Sequence, residues 1–130
     1  MKRSLTKKID IVPMGKPRMT RRDVWKQRGC VMRYRAFCDE LQLKVGAIPF
    51  DVGNLGWVAY LPMPKSWSKK KQVEMAGKPH RQKPDRDNID KAIMDALFKD
   101  DSGIYAGHIK KLWDDGNGAR LQLSFLGIEG

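Results

Sequence analysis

The segment Leu55 to Pro62 is apolar on both faces that an extended chain presents. Trp57, Ala59 and Leu61 fall on one side, Val58 and Tyr60 on the other. Such a strand has to be covered on both sides, so it predicts a central position in a sheet. A chain of 130 residues has room for one sheet with its covering helices and too little for two ordinary domains. Residues 1–130 are therefore predicted to form a single domain.

The other elements arrange themselves around that strand. Thr6 to Val12 predicts a first strand, in which Ile9 and Ile11 alternate. Pro13 to Arg22 is a loop with two prolines, a glycine and four basic residues. From Met32 to Val45 the apolar positions Tyr34, Phe37, Cys38, Leu41 and Val45 step by three and four, one face of a helix stopped at Gly46. A short helix over Lys69 to Met75 is capped by Ser66 or Ser68. The clearest helical period runs from Asn88 to Phe98, with Ile89, Ala92, Ile93, Ala96 and Leu97 on one face and Asp87 as N-cap. Ile104 to Trp113 predicts a strand. Asp114 to Gly118 predicts a hairpin turn, and the alternation of Leu121, Leu123 and Phe125 with Arg120, Gln122 and Ser124 predicts a half-exposed last strand. The sum is an α+β (mixed α/β) domain, with about four strands in a mixed sheet and two main helices.

Charge narrows the function. Twenty-six Lys and Arg against fifteen Asp and Glu leave a formal +11, which favours a polyanionic partner. Residues 1–36 hold twelve Lys and Arg against Asp10 and Asp23, and residues 65–83 hold seven against Glu74. Residues 84–115 then hold eight of the fifteen acids. A protein that only coated DNA would gain nothing from pooling carboxylates beside its basic stretches, because the carboxylates repel one another. A divalent cation reverses the sign of that interaction, and hard oxygen ligands suit Mg²⁺. Lys16, Arg18, Arg21 and Arg22 on the first loop, and Lys69, Lys70 and Lys71, are candidates to follow a phosphate backbone.

Other classes are excluded or left without support. No apolar run approaches the roughly 20 residues of a membrane span, and the basic N-terminus leads into charged residues, not a signal core. Cys30 and Cys38 lack metal-finger spacing and predict reduced, partly buried thiols, as in a cytoplasm. His80 and His108 are lone histidines and receive no catalytic role.

The motif is Lys83-Pro84-Asp85-Arg86-Asp87-Asn88-Ile89-Asp90-Lys91. Asp85 and Asp87 are two apart, so an extended stretch points them the same way. Lys91 lies one helical turn past Asp87 on the same face. Two carboxylates and an ammonium thus converge at a helix N-terminus, whose N–H groups favour a phosphate. Spacing alone is equally compatible with a capped, solvated helix start.

Lys83 to Leu97, followed by Asp100-Asp101-Ser102-Gly103-Ile104, resembles the signature of the RusA family of Holliday junction resolvases. Gly15-Lys16-Pro17-Arg18-Met19-Thr20 is similar to the family's basic loop, and Met63 to Ser68 and Lys110 to Trp113 resemble phage-type members. The resemblance implies a RusA-like fold and a homodimeric endodeoxyribonuclease. It would use Mg²⁺, with Mn²⁺ as a substitute, to nick four-way DNA junctions at symmetric sites in recombination and repair. Asp85, Asp87 and Asp101 would hold the metal, Lys91 would be the catalytic lysine, and Asn88 would support the ligands from behind. A bacterial cytoplasm, with a phage or prophage gene as one origin, is the implied setting. Asp100 competes with Asp101, because the connection after Leu97 is short and has to bring a carboxylate back along the helix. Asp90 and Asp95 are expected to be helix acids. Two other functions fit the composition. One is a non-catalytic basic DNA-binding protein that stacks bases on Trp25, Tyr34, Trp57, Tyr60 or Trp67. The other is a metal-dependent nuclease acting on flaps, other branched DNA or RNA.

Overall fold

The computed structural model describes residues 3–18 and 29–128. The chain runs β1 (Ser4–Ile9), α1 (Gly29–Val45), β2 (Val52–Leu61), α2 (Lys69–Met75), α3 (Arg86–Leu97), β3 (Ile109–Trp113) and β4 (Arg120–Gly127). The four strands form one sheet in the order β1-β4-β2-β3. β2 is central, as its two apolar faces require, and pairs antiparallel with β4 and parallel with β3. β1 closes the other edge antiparallel to β4. The result is a small mixed α+β domain.

The turn at Asp114–Gly118 is not a hairpin, because β2 lies between β3 and β4. The chain leaves β3, crosses the end of β2 and enters β4 on its far side. Asp114 N–H bonds to the Leu61 carbonyl at that crossing. Pro62 cannot extend the ladder, which leaves the end of β2 free to be crossed. The Asp114 carboxylate accepts from Gly116 and Gly118 N–H, and both glycines take the positive φ this tight path needs, 101° and 100°.

Several boundaries also differ from the pattern-based ones. β1 spans Ser4–Ile9 instead of Thr6–Val12, because Ile11 N–H turns back to the Ile9 carbonyl and ends the ladder, although Ile11 is still buried. α1 begins at Gly29, three residues before the apolar period, and Gly46 at φ 71° closes it. Ser68 is the cap of α2 and accepts from Lys71 N–H.

One face of the sheet carries the core. Leu55, Trp57, Ala59, Leu121, Leu123 and Phe125 pack against α1, through Tyr34, Phe37 and Leu41, and against α3, through Ile89, Ala92 and Ile93. Tyr34 and Trp57 are therefore core residues and cannot stack bases. Tyr60 lies under Arg120 at 3.8 Å, and Trp67 is half-buried against Trp113 at 4.7 Å. Trp25 lies outside the described residues. No helix among the described residues is long and apolar enough to cross a membrane. Cys30 and Cys38 are free thiols and partly buried.

Because Ile93 is fully buried between the sheet and α1, Ile93→Ala is expected to destabilise the domain by about 2–5 kcal/mol. A urea unfolding curve with an unchanged slope and a lower midpoint would be the signature.

Candidate active site

Parallel pairing places the carboxyl ends of β2 and β3 together, and the segment leading into α3 lies beside them. Trp113 N–H bonds to the Lys78 carbonyl, and His80 N–H bonds to the Lys111 carbonyl. Residues 78–80 thus run antiparallel along the β3 edge, from opposite Trp113 back to opposite Lys111, and the Lys83–Pro84–Asp85 stretch follows beside the Lys111 side chain.

Asp85, not Asp87, is the N-cap of α3. Its carbonyl accepts from Asn88 and Ile89 N–H, starting the helix at Arg86, two residues earlier than the apolar period suggests. The Asp85 side chain makes no capping hydrogen bond, so its carboxylate is not committed to the helix. Asp87 sits in the first turn, 3.9 Å from the ammonium of Lys91. Both side chains are largely exposed, so this pair adds little to stability and can be opened at low cost. Asn88 is half-buried in the same first turn.

The basic loop docks on the same helix start. Lys16 N–H bonds to the Asn88 carbonyl at 2.9 Å. Gly15 lies so close that a Cβ there would stand 2.8 Å from the Pro84 Cβ. The Lys16 ammonium, however, pairs with Asp95 at 2.8 Å. Asp95 also accepts from the Tyr34 hydroxyl at 2.6 Å. Burial pulls the Asp95 carboxyl upward, but the hydrogen bonds from Lys16 and Tyr34 outweigh it and hold it below the usual carboxylate range. Burial first, then the Asp95 hydrogen bond, drives the Tyr34 hydroxyl far above its ordinary value. Arg18 is exposed on the loop, while Arg21 and Arg22 lie outside the described residues. On α2, Lys69, Lys70 and Lys71 are exposed, and Lys71 stands over the Trp67 ring at 4.5 Å.

The remaining acids separate by their partners. Asp90 accepts from the buried Trp57 indole at 2.8 Å and ties α3 to the sheet. Asp100 accepts from Ser102 N–H, which lowers its carboxyl below the usual range. Asp115 is held well below that range chiefly by its two hydrogen bonds from Arg120. At Asp101 the backbone carbonyl is the group engaged, accepting from Ile104 N–H.

Asp101 does not double back toward Asp85. Past Ile104 the chain joins the sheet, where Tyr105 N–H bonds to the Gly53 carbonyl near the start of β2. Six residues further along, the Lys111 side chain reaches Pro84, next to Asp85. At roughly 3.3 Å per residue the stretch from Tyr105 to Lys111 spans about 20 Å, so Asp101, just before Tyr105, lies toward the other end of α3 from Asp85. Among the described residues no three acids, histidines or cysteines come together in a group able to hold a metal.

Two residues of the site are not visible in the motif. Lys111 sits one strand away, with its ammonium 2.6 Å from the Gln82 carbonyl and 2.7 Å from the Pro84 carbonyl. Burial lowers its ammonium from the ordinary lysine value, and the charge of Asp85 partly restores it. His80 is buried, with its ring 4.2 Å from that of Trp113, and its Nδ1 has no hydrogen-bond partner. Burial and the Lys111 charge lower it from the ordinary imidazole value.

An open carboxylate pair and a lysine thus stand at a helix N-terminus beside a basic loop. The family model described as Endodeoxyribonuclease RusA matches residues 9–124, nearly the whole chain. The chain belongs to that family and is an endodeoxyribonuclease of the Holliday junction resolvase type. No curated relative matches it.

Two outcomes follow from the structural acids. Asp90→Ala leaves the Trp57 N–H buried without an acceptor and is expected to cost about 1–3 kcal/mol, against less than about 1 kcal/mol for Asp90→Asn; urea unfolding compares them. The Asp95 carboxyl has a folded value below its unfolded value of 3.8. Its contribution to stability is present above that unfolded value and is lost as pH falls through the folded one. Acid unfolding of Asp95→Asn should therefore show a shallower loss of stability below about pH 4 than the parent.

Proposed function

We propose that this chain is a Mg²⁺-dependent, homodimeric resolvase that cuts four-way DNA junctions by paired nicks. It would act in the cytoplasm of a bacterial host. The observation that carries the proposal is the uncommitted state of Asp85 and Asp87 beside Lys91. An N-cap aspartate that spends no side-chain oxygen on its helix is available to hold a hard cation. Asp85 and Asp87 fit as carboxylate ligands and Asp101 as a third; Mn²⁺ would be accepted by the same oxygen set.

The position of Asp101 argues for the dimer. A two-fold axis perpendicular to α3 near its middle exchanges the two ends of the helix. It would set the Asp101 of the partner subunit beside Asp85 and Asp87, and this chain's Asp101 beside the partner's pair. Each site would then exist only in the dimer, and the two would stand symmetrically, as paired nicks in a pseudo-symmetric junction require.

When bound, the cation would polarise the scissile phosphate and lower the pKa of the attacking water. The chain's own groups do the rest. Asp85 and Asp87 anchor the site at the α3 N-terminus, whose free N–H groups face incoming phosphate oxygens. Lys91 exchanges its loose contact with Asp87 for a phosphate oxygen and donates to the charge that builds there. Asn88 braces the helix start under the Gly15–Lys16 loop. Arg18, Arg21, Arg22 and Lys69 to Lys71 contact the backbone of the DNA arms. Lys16 joins them only to the extent that it leaves Asp95.

Cleavage of matched four-way, flap, duplex and RNA substrates, with and without Mg²⁺, tests the substrate and the metal together. Asp87→Asn and Lys91→Ala are expected to bind the junction normally and to cut it about 100- to 1,000-fold more slowly. Wild-type cleavage by Asp87→Asn would refute the site. A mixture of Asp85→Asn and Asp101→Asn chains tests the shared ligand set. Heterodimers would regain one intact site and single nicks, whereas sites built within one chain would stay dead.

A further inference from the structure

We propose that Lys111 is a positioning residue for the carboxylate pair: from β3 it clamps the Gln82 and Pro84 carbonyls and so sets the backbone that presents Asp85. The inference rests on the reading that Asp85 and Asp87 hold a divalent cation.

Two backbone carbonyls flanking Lys83 converge on one ammonium, at 2.6 and 2.7 Å. A lysine ammonium has three donors and can satisfy both at once. The main chain of the same residue holds the same loop, since the Lys111 carbonyl accepts from His80 N–H. On either side, Pro79 bridges to Leu112, and Trp113 N–H bonds to the Lys78 carbonyl. The path from Lys78 to Pro84 is thus fixed to β3 by backbone bonds at its start and by the Lys111 side chain at its end. Asp85 follows at once and is fixed on its other side by the first helical hydrogen bonds of α3. Its direction is therefore set by the clamp and the helix start together, because its side chain makes no capping bond. Strand alternation explains why Lys111 and not Lys110 does this: Lys110 is exposed on the opposite face, while Lys111 is half-buried.

Charge and positioning predict opposite signs. A positive charge near Asp85 repels a cation, so if charge were the whole effect, removing Lys111 would tighten metal binding. If the clamp aligns Asp85, removing it weakens metal binding, by the 10- to 100-fold typical of residues that orient ligands.

The experiment is a Mn²⁺ titration of the whole protein without DNA, read by electron paramagnetic resonance of the free ion. Circular dichroism and junction affinity in EDTA are measured on the same samples. Lys111→Met is expected to bind Mn²⁺ at least about ten-fold more weakly, with its circular dichroism unchanged and its junction affinity in EDTA within about two-fold of wild type. Lys111→Gln, which keeps a donor for one carbonyl, should fall between. Equal or tighter Mn²⁺ binding by Lys111→Met overturns the proposal. Should Lys111→Met fail to fold, Lys111→Gln decides by the same criterion. Asp87→Asn is the control for the underlying reading: if it binds Mn²⁺ as wild type does, the cation site itself is misplaced, whatever Lys111 does.

Discussion

The parallel pairing of β2 with β3 governs the rest of the molecule. Two adjacent parallel strands cannot be joined by a tight turn, so the chain has to travel back the length of the sheet between them. α3 is that return path. It runs from beside Lys111 in the middle of β3 back toward the start of β2. The Trp57–Asp90 hydrogen bond pins the helix to the sheet on the way. The open carboxylates Asp85 and Asp87 belong to one end of this helix, and Asp101 follows the other. The same geometry that gives Asp85 and Asp87 an exposed helix start also carries Asp101 away from them.

Saturation by partners sorts the acids better than their position in the sequence does. Asp90, Asp95, Asp100, Asp114 and Asp115 each accept at least one hydrogen bond that shapes the fold. Asp85 makes no capping bond, and Asp87 has only a loose ion pair. A cluster of carboxylates in a basic protein is costly wherever it is not compensated. Here most of it is compensated internally, and what stays open is Asp85 and Asp87 next to the basic loop and Asp101 beyond the other end of α3. Asp100 and Asp101 separate on the same ground, since Asp100 spends its carboxylate on its own turn.

Much of this was legible in the sequence. The two-sided apolar run fixed β2 as central, and the i, i+3, i+4 period of Ile89 to Ala96 located α3. What escaped was long-range. Asp114 to Gly118 has the composition of a hairpin turn, yet turn chemistry says nothing about which strand lies between the strands it joins. The cap of α3 moved from Asp87 to Asp85 because Arg86 is helical without being apolar, and hydrophobic period is blind to such residues. Lys16 looked like a phosphate ligand, but Asp95, seventy-nine positions away, competes for it. Lys111 lies in a segment that the resemblance marks, but spacing gives it no role, since its contacts exist only once β3 lies beside the motif.

The close approach of Gly15 to Pro84 has a mechanical consequence. With no side chain between them, the two backbones pack directly, and any larger residue at position 15 would push the loop off the helix start. Under the proposed function, a DNA arm held by the loop would bear on the backbone that carries Asp85 and Asp87.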